Sequence, residues 1–184
     1  MEYNFKITEN GSERSIILKN DLLHYVVDNA IYEVPYSSIN AVWLNKPGGL
    51  CTPNNYSCTL NIEDDKPIFI SSRNWDENKR EISQQNHYNS FVRVMHMHLK
   101  EKSKAKYGFG VKPKYYFLRV VAILTIISLA VFTALTFQDS WYILIGPVIV
   151  SVFVLTCGLN FCVKNFPSKY KPDQIPLRLL PVQS

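Results

Sequence analysis

Val120-Val-Ala-Ile-Leu-Thr-Ile-Ile-Ser-Leu-Ala-Val-Phe-Thr-Ala-Leu-Thr-Phe137 is a run of eighteen residues without a charge. Three residues, Gln138-Asp139-Ser140, separate it from Trp141-Tyr-Ile-Leu-Ile-Gly-Pro-Val-Ile-Val-Ser-Val-Phe-Val-Leu-Thr-Cys-Gly-Leu-Asn-Phe-Cys-Val163, a run of twenty-three. About 20 apolar residues in a helix rising 1.5 Å each cross a hydrocarbon core roughly 30 Å thick. With Tyr115–Leu118 extending the first run, the pattern predicts transmembrane helices over 115–137 and 141–163. The short connection forces them to be antiparallel neighbours. The alternative, two core helices of a soluble protein, fails because the rest of the chain is too small to cover forty apolar residues.

Outward from this hairpin the composition changes sharply. Lys100, Lys102, Lys104, Lys106, Lys112, Lys114 and Arg119 precede the first run, with Glu101 the only acid among them. Lys164, Lys169 and Lys171 follow the second run, and the intervening loop has no base. Positive flanks stay on the cytoplasmic side, so both termini are expected in the cytoplasm, with Gln138–Ser140 on the opposite face. Tyr115, Tyr116, Trp141 and Tyr142 stand at the ends of the spans, where amphipathic rings favour the interface. The net charge of +5 is concentrated before the hairpin rather than on the folded domain. A nucleic-acid binder carries its bases on the domain itself, so the pattern points to a lipid bilayer instead. The six lysines from Lys100 to Lys114 are candidate contacts to anionic lipid, or else serve only to set topology.

Within the spans, Ala130/Ala134 and Gly158/Cys162 are small residues four apart that allow close helix approach. Gly146-Pro147 should kink the second helix. Asn160 reads as an interfacial or interhelical hydrogen bonder. Neither charge-free run, Val120–Phe137 or Trp141–Val163, holds an acidic or basic side chain, which argues against a proton or ion transporter.

The first hundred residues read as short strands near Tyr3–Glu9, Ser15–Lys19, Leu22–Asp28, Ala30–Val34, Ile39–Asn45, Tyr56–Glu63 and Pro67–Ser72. Asn10-Gly11-Ser12, Asn20-Asp21, Asp28-Asn29, Pro35, Pro47-Gly48-Gly49 and Asp64-Asp65 separate them with turn chemistry. The polar start, Met1–Glu9, has neither a basic nor an apolar leader region and reads as the first strand rather than a secretory signal. The period then changes: Tyr88, Phe91/Val92, Met95 and Leu99 recur at helical spacing, with Asn89, Arg93, His96 and Lys100 on other faces. Asn74 followed by Glu77 marks a possible capping box at the helix start.

Seven strands closed by one helix, the phrase Val34-Pro-Tyr-Ser-Ser-Ile-Asn-Ala-Val-Trp43 and the helix Tyr88-Asn-Ser-Phe-Val-Arg-Val-Met-His96 together resemble bacterial PH-like domains of the pleckstrin-homology superfamily. The resemblance covers about Met1–Glu101. It implies an α+β chain: a seven-stranded bent antiparallel sheet or barrel with a C-terminal helix over 1–101. A basic juxtamembrane linker (102–114), the hairpin and a Pro-rich cytoplasmic tail (164–184) complete the layout. Some bacterial PH-like proteins combine the domain with paired membrane helices. No specific phosphoinositide site is expected, because the first hairpin, Phe5–Leu18, offers only Lys6 and Arg14 beside Glu9 and Glu13.

Chemistry-bearing patterns are sparse. His96 and His98 are two apart on a helix and cannot jointly chelate a metal; Cys51 and Cys58 lack zinc spacing. Cys157 and Cys162 read as reduced thiols packed as small apolar groups. Pro47-Gly48-Gly49 lacks the rest of a phosphate loop, and Asp64-Asp65-Lys66 reads as a charged turn rather than a catalytic pair. No enzyme, metal or cofactor is expected.

In the tail, Pro167, Pro172, Pro176 and Pro181 forbid a continuous helix, yet Ile175, Leu177, Leu179, Leu180 and Val182 make it too apolar for an idle linker. If extended, Ile175, Leu177 and Leu179 would share one side and dock on the domain or on a neighbouring subunit; the alternative is a disordered tail. The leading expectation is a multi-pass, membrane-anchored, non-enzymatic interaction module with a protein partner or further copies of itself. The alternatives are an anionic-lipid-responsive module, or an accessory subunit of a membrane complex, such as secretion machinery or a toxin-protective protein.

Overall fold

The turn at Asp28-Asn29 sets the pattern of the first sheet. Both residues take left-handed conformations, with φ of 51° and 63°. Asp and Asn tolerate that region, and two such residues in succession make the hairpin turn whose twist matches its strands. Strand β3 (Leu22–Val27) and strand β4 (Ala30–Pro35) pair across it. With β1 (Glu2–Lys6) and β2 (Glu13–Leu18) they form a four-stranded antiparallel sheet in chain order. A second sheet contains β5 (Ile39–Asn45), β6 (Ser57–Ile62) and β7 (Ile68–Ser71), and Arg73–Trp75 (β8) pairs with Glu81–Ser83 (β9). The computed structural model describes residues 1–47, 55–63, 66–76, 78–136 and 141–181, the side chains of 141–144 excepted. Gly48-Gly49, Cys51, Asp64-Asp65, Glu77, the Gln138–Ser140 loop, the rings of Trp141 and Tyr142, and Val182 lie outside the described residues.

The chain divides into two compact units, Met1–Phe109 with Ser168–Ser184, and Gly110–Pro167. In the first, alternation along each strand sends Tyr3, Phe5, Ile16, Leu18, Leu23, Val42, Leu44, Leu60 and Ile70 into one core. Helix α1 (Gln85–Lys102) covers it with Tyr88, Phe91, Val92, Met95 and Leu99, all fully buried. The ring of Phe91 stacks on that of Tyr3 with centroids 5.1 Å apart. The seven expected strands and the helical stripe are therefore present, as a mixed α+β unit.

Three expectations need correction. The strands form two open sheets rather than a closed barrel, because no ladder joins β4 to β5 or β1 to β7 among the described residues. The second sheet is not purely antiparallel. Lys106–Phe109, read from sequence within the basic linker, form strand β10, which lies parallel to β5 and antiparallel to β11 (Ser168–Lys169). Gly108 sits opposite Trp43 in that pairing, and a Cβ there would run into the indole. Finally, Asn74 does not cap the helix. It lies in β8, where its side-chain oxygen accepts from the Lys6 and Trp75 amides at 2.7 and 2.9 Å.

In the second unit, α2 (Pro113–Thr136) and α3 (Trp141–Asn165) are both long and apolar enough to cross a membrane. They pack antiparallel: Tyr116 Oη donates to the Cys162 carbonyl at 3.4 Å, and the Tyr116 and Phe161 rings stack 5.9 Å apart. Gly158 is buried against Ile123, and an added Cβ would stand 3.1 Å from the isoleucine Cγ2. The outer faces are apolar and uncovered, as Leu129, Phe132 and Phe153 show at 64, 67 and 68% exposure. Soluble monomers rarely expose contiguous apolar surface of this extent. The hydroxyls of Thr125, Thr133, Thr136 and Thr156 each donate to the carbonyl four residues back, at 2.8–2.9 Å, so none presents an unmatched donor to that surface. Pro147 lies inside α3.

The two strands that frame this hairpin are hydrogen-bonded neighbours. Phe109, the last residue of β10, is opposite Ser168, the first of β11. The Val111 amide donates to the Asn165 carbonyl at 3.1 Å, and Gly110 supplies the positive φ of 87° at this narrow base. A side chain at Gly110 would also collide with the Phe166 carbonyl.

Candidate functional site: the seam between helix α1 and the tail

The tail meets α1 at Tyr170, reaches its last turn at Asp173 and then returns toward its first turn at Pro181. Near the helix end Lys100 Nζ is 2.8 Å from Asp173 Oδ1. One turn earlier, His96 bridges the helix to the tail: its Nδ1 bonds the Val92 carbonyl and its Nε2 bonds the Tyr170 hydroxyl, each at 2.7 Å. The carbonyl can only accept, so Nδ1 carries the proton and Nε2 accepts from Tyr170. Near the helix start, Asn89 Nδ2 donates to the Pro181 carbonyl at 2.9 Å in a buried setting. Between these points Leu179 and Leu180 enter the core, at 1 and 3% exposure.

Burial controls the chemistry of the seam. His96 is withdrawn from water, which disfavours the imidazolium and brings its pKa down to about 4 despite the bond to Val92. The Tyr170 hydroxyl is pushed far upward by the same desolvation and remains a donor. Tyr107 and Phe109 of β10 complete an aromatic cluster, with Tyr107 and Tyr170 at 5.8 Å in an edge-to-face arrangement. The Arg178 guanidinium lies over the Phe109 ring at 4.9 Å.

Asn89 and His96, placed on outer helix faces by periodicity, are therefore buried; the tail covers the side of α1 they occupy. Nothing within α1 itself signals this. The only hint was the mixed apolar and aromatic content of the tail. The tail side chains also divide differently from an extended strand: Leu177–Leu179 form a single 3-10 turn. Ile175 packs half-buried on the core and Leu179 is inside it, whereas Leu177 is 78% exposed. The expectation that all three share one docking side is corrected on Leu177.

The six candidate lysines do not act alike. Lys102 Nζ bonds both the Asp21 carboxylate, at 3.0 Å, and the Asn20 carbonyl. Lys100 is engaged with Asp173. Lys104 and Lys106 are exposed, without an ion pair among the described residues, on either side of Ala105 at the entry to β10. Lys112 precedes α2 and Lys114 is its second residue. Cys58 is fully buried, and burial raises its thiol pKa so that it stays protonated. No group of three or more His, Cys, Asp or Glu side chains converges on a metal-sized site among the described residues. No protein-family model matches the chain, and no curated protein or solved structure matches it.

Proposed function

We propose that this chain is a membrane-anchored, non-enzymatic interaction module that presents a PH-like domain at the cytoplasmic membrane face. The observation that carries the reading is the insertion of the apolar hairpin between β10 and β11, two paired strands of one sheet. A helix pair attached by a flexible linker would only tether a domain. Here the chain leaves and re-enters through adjacent strands, and the tail beyond re-entry supplies core residues to the domain. Folding of the domain and formation of the hairpin are thereby coupled, which suits a scaffold holding a surface at the bilayer. The order of four strands, three strands and a closing helix supports the PH-like assignment. The positive flanks support the cytoplasmic orientation of both termini. Lys104 and Lys106 are available to anionic headgroups, each contributing on the order of 1 kcal/mol when well placed.

The test is purification of the tagged full chain in mild detergent from its native membrane. A stoichiometric protein partner, or a defined homo-oligomer, is the expected result. A chain that is monomeric and partnerless after cross-linking in intact membranes would remove the adaptor reading. For the lipid contribution, nanodiscs with and without anionic lipid should shift the exchange of the Lys104–Lys106 backbone amides. No difference would leave these lysines as topology determinants only.

A further inference from the structure

We infer that the outer edge of β4, with the cleft beneath it, is a docking site for an extended peptide that carries an inward-facing carboxylate. The inference rests on the adaptor reading and specifies its surface.

The edge is open. Strand β4 is the last of its sheet, and its register with β3 runs from Val27↔Ala30 to Leu22↔Pro35. In a two-residue hairpin the pair next to the turn exchanges both hydrogen bonds, and bonded pairs then alternate. Ala30, Tyr32 and Val34 therefore turn their backbone groups toward β3, and Ile31 and Glu33 turn theirs outward. Pro35, which has no N–H, takes the next outward position. No element pairs with this edge among the described residues. Natural sheets blunt such edges with charges, bulges or short strands. This edge spans six residues, exposes Ile31 and Tyr32 at 63 and 52%, and has one acid, Glu33, already engaged by His24 at 3.3 Å.

The cleft supplies the charge preference. Along β2, β3 and β4 the residues that follow the core face toward the turn are Arg14, Tyr25, Val27 and Tyr32. With Ile62 and Ile68 of the second sheet, and Lys66 and Pro67 just before β7, they line a cleft of about 500 Å³. Arg14 donates from Nη1 to the Tyr25 hydroxyl at 3.1 Å, while its Nε is shut from solvent without an acceptor. The Arg14 guanidinium lines the cleft, and a carboxylate is the acceptor whose planar geometry fits that fork. Strand addition beside β4 gives a peptide its main-chain bonds, and alternate side chains of that peptide face the cleft.

The test uses the full chain in detergent micelles, with three capped hexapeptides as probes: valine alternating with glutamate, valine alternating with lysine, and the glutamate peptide with N-methylated backbone. The glutamate peptide should slow amide exchange at Ile31 and Glu33 at least tenfold at millimolar concentration, and the other two should not. Arg14→Gln should weaken that protection at least fivefold, with Arg14→Lys intermediate. Ile31→Pro removes an outward N–H without touching the β3 ladder and should abolish it while the melting temperature stays near wild type. Equal protection by the lysine peptide, or none by the glutamate peptide, overturns the inference. So does peptide-free protection that rises with protein concentration, because β4 would then be occupied by a second copy. A partner that co-purifies equally with wild type and Ile31→Pro leaves the adaptor reading standing and removes this surface from it.

Discussion

His96 is a base held neutral between a helix carbonyl and a tail hydroxyl, and its environment makes a definite pH prediction. The unfolded chain binds the imidazole proton near pH 6.5, the folded chain only near 4. Between those values the unfolded state carries more protons, so stability declines as pH falls through the window and is fully present above it. The limb amounts to about 3 kcal/mol. The full chain in detergent should lose melting temperature between pH 7.5 and 4.5, and His96→Gln should flatten much of that slope; an unchanged slope would show that His96 does not sense the seam. Phe91 makes a different kind of prediction. Its ring is fully buried against Tyr3, so Phe91→Ala should cost on the order of 3–5 kcal/mol through lost burial and a residual cavity. Chemical denaturation of the domain signal would read this, and a change below about 1 kcal/mol would contradict the packing.

At the scale of elements, the tail is the informative case. Its prolines prevent a helix and its apolar residues demand cover, but which of them is covered depends on one 3-10 turn at Leu177–Leu179. Leu179→Asp should release the tail, because it places a carboxylate in the core. Leu177→Asp should leave it seated, since that side chain is mostly in water. Hydrogen exchange at the Leu179 and Leu180 amides, which bond back to Pro176 and Leu177, separates the two variants. Equal exchange in both would mean that the turn is not docked as described. Strand β10 teaches the same lesson. Lys106-Tyr-Gly-Phe109 carries too little pattern to announce a strand, and its place beside β5 depends on Gly108 leaving room for Trp43.

For the whole molecule, the expected topology follows from charge at the ends of the apolar runs. Reporter fusions at Lys114 and Ser184 should both indicate cytoplasm, and one within Gln138–Ser140 the opposite compartment. Opposite locations for the two termini would end the hairpin reading. The tail imposes a matching constraint, because Leu179 and Leu180 share a core with residues of the first strands. The chain before the hairpin and the chain after it must therefore occupy one compartment.

Local pattern alone determined the elements whose information is local. Charge-free runs of helical length marked α2 and α3, period-2 alternation and turn residues marked β1 to β7, and the Tyr88–Leu99 stripe marked the buried face of α1. Tertiary structure decided everything that depends on which distant segment arrives where. The parallel β10–β5 pairing joins residues some sixty-five positions apart, as Lys106↔Ala41 illustrates. The burial of Asn89 and His96 depends on a tail that comes back only after two long helices. A single helix's periodicity reports the face that meets its largest neighbour; it carries no record of a second neighbour that approaches through polar contacts. Hydrogen bonds from Asn89 Nδ2 to the Pro181 carbonyl and from Tyr170 to His96 pair polar groups that would otherwise belong in water. Such pairings become visible only when both partners are in place.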